Sequence, residues 1–235
     1  MKQKKLAELL RLVIETYIYK WDPVGSKFLH SLEDTTYAPS TLRKYLNMLE
    51  QEWLLYQPYN SAGRIPTVKW LANYLDMLVD DEYTLARPEK PVEDPYGFDV
   101  SYVRDDVRSI VELLGEYVDG VVVGFLKEDQ YYYLGINNLL QDAHLSDHAN
   151  IRHIVQFIES KQLVQELDAK LMKRWHVYYT LLETGKSVMS IIYTKIDIDG
   201  YDAVISVLWP VRLDHKRNIA ILKKFLDHHR EDYGR

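Results

Sequence analysis

The sequence predicts an α+β protein in two parts: a small helical unit closed by a β-hairpin, then an antiparallel sheet with flanking helices. Three observations carry this. Before residue 53, apolar residues recur at three- and four-residue steps in successive stretches, the period of helices packed on one core. The polar run QPYNSAGRIPT, Gln57 to Thr67, lies beside a short β-prone segment and holds the glycine and prolines of a turn. After residue 100, short apolar runs alternate with helical periods, and Asp199-Gly200 marks a tight hairpin.

The elements follow in order. Leu6, Leu9, Leu10, Val13, Ile14, Tyr17 and Ile18 form one face of a helix over Lys2–Tyr19. Asp22 to Ser26 breaks it. Ser26 is placed to cap a short helix through Leu32, with Phe28 and Leu29 inward. Glu33 to Tyr37 reads as a turn. Pro39 suits the first position of a third helix, running to Glu52, because no N–H is needed there. Leu42, Leu46 and Leu49 line its buried face, leaving Ser40, Thr41, Arg43, Lys44 and Asn47 on the other. Leu54–Gln57 reads as a strand to which Arg64-Ile65 pairs back, with Pro58 to Gly63 as the turn. Thr67 is placed to cap a fourth helix, Val68–Val79.

Three helices followed by a hairpin make a winged helix-turn-helix, a DNA-binding arrangement. Its third helix enters the major groove and its hairpin tip, the wing, lies along the backbone or minor groove. Arg64 is then expected to reach phosphate or the minor groove. Ser61 and the Gly63 backbone donate to phosphate oxygens, flanked by Tyr59 and Asn60.

Asp80 to Asp99 is acidic, holds Pro88, Pro91 and Pro95, and reads as a linker. The expected organisation is a winged-helix DNA-binding domain at 1–79, a linker at 80–100 and a second domain at 101–235. In the second, Val103 to Gly115 reads as a helix and Val121–Leu126 as a buried strand returning at Tyr131–Leu134. Ile151, Ile154, Val155 and Ile158 mark a helix that resumes after a break through Leu163, Leu167 and Leu171. Strands are expected at Val177–Leu182, Val188–Tyr193 and Ala203–Trp209. Ile219, Leu222, Phe225 and Leu226 mark a closing helix.

Composition narrows the function. The chain has 235 residues and a net charge of −6, which argues against nucleic-acid binding over its whole surface. The charge is uneven. Residues 1–74 carry ten Lys and Arg against seven Asp and Glu, and the rest carries nineteen against twenty-eight. That is the pattern of a polyanion-binding module on an acidic body. Without cysteine, disulfides and thiolate metal sites are excluded and a cytoplasmic location is expected. No run of roughly 18 apolar residues spans a membrane. The basic-then-apolar N-terminus is interrupted by Glu8, Arg11 and Glu15, which suits an amphipathic helix rather than a signal peptide.

Several motifs fall short of chemistry. Glu183 to Ser187, ETGKS, lacks the first glycine of a phosphate loop, since Thr180 stands there. Asp197 to Asp202, DIDGYD, lacks the glutamate a calcium loop needs, since Leu208 falls at its last position. His228 and His229 read as a solvated helix end, and Asp214 as the cap of the closing helix with His215 among exposed charge. No catalytic residues, metal or cofactor are expected, and no enzyme activity.

The segments DPVGSKFL, Pro39-Ser40-Thr41-Leu42-Arg43 and above all QPYNSAGRIPT resemble the N-terminal domain of the heat-inducible transcription repressor family, HrcA-type. Thr41, Arg43 and Lys44 fall on its recognition helix, and Ser61, Ala62, Gly63 and Arg64 on its wing. Further on, Gly135-x-x-Asn138-Leu139-Leu140 and VISVLWPVRLDHKRNI resemble passages of its second, GAF-like domain. The family carries an inserted dimerisation domain there, which this chain lacks between VVVGFLK and YYYLGINNLL. The chain departs from the pattern at Ala38, Lys44 and Trp70 to Ala72. It also does so at Trp53 and Trp209, where the family has glycine. The resemblance implies a repressor of heat-shock and chaperone genes binding an inverted-repeat operator in double-stranded DNA, modulated by a GroEL-type chaperonin. A homodimer is expected through the second half, at its final helix or the tyrosines near Tyr131. The competing reading is a ligand-sensing or protein-interaction module whose winged helix has lost DNA binding.

Overall fold

Leu9, Leu10 and Val13 on one helix face, and Leu42, Leu46 and Leu49 on another, find one another in a small core with Val24, Leu29 and Leu55. The computed structural model describes residues 2–20, 22–32, 37–80, 106–118, 120–126, 130–141, 148–168, 170, 172–184, 187–210 and 214–233. Cα packing divides the chain into two compact units, Met1–Met77 and Leu78–Arg235. Beyond Asp80, the expected linker lies outside the described residues, as do most of the expected turn at Glu33 to Tyr37 and Val103.

In the first unit, α1 (Lys2–Lys20), α2 (Ser26–Ser31) and α3 (Pro39–Gln51) precede β1 (Leu55–Tyr56), β2 (Ile65–Pro66) and the first ten residues of α4 (Val68–Asp80). The strands are antiparallel, with Leu55 opposite Pro66 and Tyr56 opposite Ile65. Thr67 caps α4, its hydroxyl accepting from the Trp70 N–H at 3.3 Å. Ser26 does not cap α2: it is the first helical residue and buried, and Gly25 holds the cap position without a side-chain bond. A contact that the sequence did not reveal joins the α1–α2 connection to the hairpin. Val24 and Arg64 exchange both backbone hydrogen bonds at 2.9 Å. Trp53, just past α3, is left-handed at φ 58° and 81% exposed. Such a residue ends a helix cheaply only when it is glycine.

The second unit is built on a five-stranded antiparallel sheet in the order β4-β3-β7-β6-β5. Its strands are β3 (Val121–Leu126), β4 (Gln130–Leu134), β5 (Val177–Thr184), β6 (Ser187–Ile198) and β7 (Tyr201–Pro210). Its helices are α5 (Val107–Tyr117), α6 (Ile136–Gln141), α7 (His148–Glu159), α8 (Gln162–Asp168) and α9 (His215–Tyr233). Side chains alternate between sheet faces. A Cβ on Gly124 would lie 2.6 Å from Val111, so α5 sits directly on that face. Gly124 pairs with Ile205, Ile205 with Thr194, and Ser190 shares Thr194's face. Ser190 meets His215 of α9 there. Tyr131, on the opposite face, donates to the Ile158 carbonyl of α7 at 2.7 Å. With both faces covered, every residue of β3 is buried.

Several details differ from expectation. α5 starts at Val107 because the Asp106 carboxylate accepts from the Ser109 N–H at 2.9 Å. Gly115 does not end it but lies inside, where a Cβ would meet Leu134 of β4 at 2.5 Å. α6 has no counterpart in the sequence reading, and β6 runs to Ile198. Asp199 and Gly200 both have left-handed φ, 51° and 82°, which closes the β6–β7 hairpin tightly. His229 is not solvated: it is 4% exposed, with its ring 4.8 Å from Phe225. Among the described residues, no helix is long and apolar enough to cross a membrane.

Candidate nucleic-acid interface

α3 begins at Pro39, and the Ala38 carbonyl accepts from the Thr41 and Leu42 N–H groups. With Leu42, Leu46 and Leu49 buried at that phase, Ser40, Arg43, Lys44 and Asn47 are exposed and Thr41 is half-buried. A cleft of about 560 Å³ lies between α2, α3 and the hairpin. Arg43, Asn47, Ser61, Gly63 and Arg64 line it, with Gly25, Ser26 and Lys27.

The hairpin tip is fixed by its own bonds. Gln57 Nε2 donates to the Ala62 carbonyl at 2.9 Å, and the Ala62 N–H donates to Tyr59. Ser61 is left-handed at φ 69°, and its hydroxyl donates to the Asn60 carbonyl at 2.5 Å. Tyr59, Asn60 and Ser61 are exposed. Gly63 has no room for a side chain: a Cβ would collide with the Pro23 carbonyl oxygen and Val24.

The Arg64 guanidinium turns onto α3, where Nε donates to Glu50 Oε2 and Nη2 to Asn47 Oδ1, both at 2.9 Å. Nη2 also pairs with Glu50 at 2.8 Å, and the side chain is only 14% exposed. Asn47 and Glu50 lie three residues apart on one helical stripe, so one guanidinium spans both. The structure therefore brings Arg43, Asn47, Ser61, Gly63 and Arg64 to one cleft. It leaves Ser40, Thr41, Lys44, Tyr59 and Asn60 off its lining, on the helix and the tip. Lys27, Glu50 and Gln57 were missed by the sequence reading. Nothing local marks them, since each matters only through the hairpin's return onto α2 and α3.

Among the described residues of the second unit, a histidine and a serine side chain form a buried polar pair. His215 Nε2 lies 2.8 Å from Ser190 Oγ, with both residues almost fully enclosed. Burial pushes the imidazole down to about 3 from 6.5. Asp214 caps α9, accepting from the Arg217 N–H at 2.9 Å. The expectation that His215 sits among exposed charge is thus corrected.

The first unit is a helical module with a basic, polar helix face beside a hairpin cleft, and the second is an α+β sheet domain. The family described as "HrcA protein C terminal domain" matches residues 96–219, more than half of the sequence, and the chain belongs to the HrcA family. A protein of Frankia casuarinae named "Heat-inducible transcription repressor HrcA" is 32% identical over 123 residues, 52% of this chain and 36% of that protein. A protein of the same name from Acaryochloris marina is 35% identical over 114 residues, 46% of this chain and 31% of that one. Another, from Alkaliphilus metalliredigens, is 40% identical over 82 residues, 35% of this chain and 24% of that one. The chain spans about a third of the length of the curated relatives it matches. A solved structure described as "Crystal structure of a hypothetical protein at 2.2 A resolution" matches with TM-score 0.74 over 97% of each chain at 14% identity. That is a likeness of fold alone.

Proposed function

We propose that this chain is a sequence-specific DNA-binding repressor of heat-shock and chaperone genes. In this reading the first unit is a winged helix-turn-helix and the second a GAF-like domain. The observation that carries it is the face of α3: Arg43, Lys44 and Asn47 stand exposed beside a cleft walled by the hairpin. Membership of the HrcA family, whose relatives are named as heat-inducible transcription repressors, supports the same reading.

α3 enters the major groove, where Ser40, Thr41, Arg43, Lys44 and Asn47 meet base edges and phosphates. Tyr59, Asn60 and Ser61 at the tip and the Gly63 backbone lie along the sugar-phosphate strand. Lys27, exposed at the cleft's edge, adds positive charge. Repression follows from occupancy of a promoter, with no reaction catalysed, in the cytoplasm where the DNA is. Folding through a GroEL-type chaperonin sets how much active repressor is present, since marginal stability makes the folded fraction temperature-sensitive.

A homodimer formed through the second unit matches a two-fold protein to an inverted-repeat operator. β4 is an edge strand without a charged side chain, and Tyr132, Tyr133 and Leu134 on it are exposed. Soluble proteins normally guard such an edge, which suits it to pairing with a second copy.

The test is a mobility shift with the full chain on the DNA upstream of its own gene, against an unrelated duplex of equal length. The reading expects preferential, salt-sensitive binding to the upstream DNA. It also expects Arg43→Ala and Lys44→Ala each to weaken that binding. Equal, weak affinity for both duplexes, unchanged in either variant, contradicts it and favours a sensing or protein-interaction module.

A further inference from the structure

We propose that Arg64 acts as a positioning residue which makes Asn47 a donor-only reader, so that Asn47 selects guanine in the major groove. The inference rests on the DNA-binding reading above. Its geometry stands without DNA.

A guanidinium has only donors to offer. The Asn47 side-chain atom 2.9 Å from Arg64 Nη2 is therefore the carbonyl oxygen, and the amide orientation is fixed by chemistry. Glu50 holds the guanidinium from the same helix, accepting from Nε and ion-paired with Nη2. The backbone of Arg64 is fixed as well, by its paired hydrogen bonds with Val24. The fork is thus anchored at both ends, and its partner Asn47 is exposed on the helix face.

Orientation decides what Asn47 can read. A free asparagine recognises adenine by donating to N7 while accepting from the N6 amino group. With its oxygen turned toward Arg64, Asn47 keeps only its NH2 for the groove. Guanine presents two adjacent acceptors there, N7 and O6, and no donor. An NH2 without its carbonyl fits that edge and loses its advantage at adenine. Arg64 therefore shapes specificity without touching a base.

The experiment is selection of binding sites from random duplexes with the full chain and three variants. Wild type should show one guanine whose preference disappears in Asn47→Ala, a loss of roughly five- to 150-fold discrimination at that base pair. Asn47→Asp keeps an oxygen for Arg64 but turns the reader into an acceptor, so preference there should move to cytosine. Arg64→Met removes the fork while keeping an apolar stem, so the freed amide should move it to adenine. Should Arg64→Met fail to fold, the two Asn47 variants still decide. An adenine at the Asn47-dependent position in wild type would overturn the inference while leaving the DNA-binding reading intact. So would an unchanged site in Asn47→Ala. If wild type enriches no sequence, both readings fail. A double-mutant cycle on denaturant midpoints, without DNA, checks the geometry itself: Arg64→Met and Asn47→Ala should be non-additive, and strict additivity overturns the proposed link.

Discussion

The buried His215 makes stability depend on pH in a way that can be worked out from the structure. The folded imidazole is held neutral down to about 3 by burial, whereas an unfolded chain takes up the proton near 6.5. A depressed histidine contributes stability that is fully present above 6.5 and lost as pH falls, because only the unfolded state binds the proton in that window. Each pH unit below 6.5 costs about 1.36 kcal/mol. At about pH 5 the second unit should therefore be less stable than at about pH 8 by about 2 kcal/mol from this group alone. His215→Gln keeps a hydrogen-bonding partner for Ser190 and removes the titration. Urea unfolding of both proteins at the two pH values isolates the effect, because other ionisable groups cancel in the difference. The variant should lose about 2 kcal/mol less on acidification. Equal losses in the two proteins would refute the buried, neutral state assigned to His215.

Other expectations follow from single positions. Trp53→Gly should stabilise the first unit by about 1 kcal/mol in denaturant melts, since glycine accepts the left-handed φ and the exposed indole has little packing to lose. Gly63→Ala should destabilise that unit by about 1–3 kcal/mol and weaken DNA binding, because its Cβ would meet the Pro23 backbone. On the proposed pairing of two copies through β4, Tyr133→Lys should shift sedimentation from dimer toward monomer with the fold intact by circular dichroism. Arg43→Ala should shallow the salt dependence of DNA affinity by roughly one counterion unit if its guanidinium meets a phosphate.

The parts legible in the sequence were those set by local rules. Leu42, Leu46 and Leu49 fix the phase of α3, and so also which residues it exposes. Asp199-Gly200 gives the β6–β7 turn because few dipeptides accept two left-handed residues. What escaped depends on the chain's return. The partners of Arg64 lie 14 and 17 residues back, so an arginine in a polar loop reads as a phosphate contact until the hairpin folds it onto α3. Gly115 reads as a helix end, yet it lies inside α5, against the Leu134 side chain of β4. His215 and His229 look like surface charge in a polar stretch and are buried by the sheet and by α9's own phase.

Amide hydrogen exchange of the full chain, with and without its selected DNA duplex, tests the central claim most directly. The account expects DNA to slow exchange along α3 and at the hairpin tip, Gln57 to Arg64, with smaller effects near Lys27. The five-stranded sheet should be unchanged apart from any second-copy contact at β4. Protection confined to Leu78–Arg235, with α3 and the hairpin exchanging as they do without DNA, would contradict it.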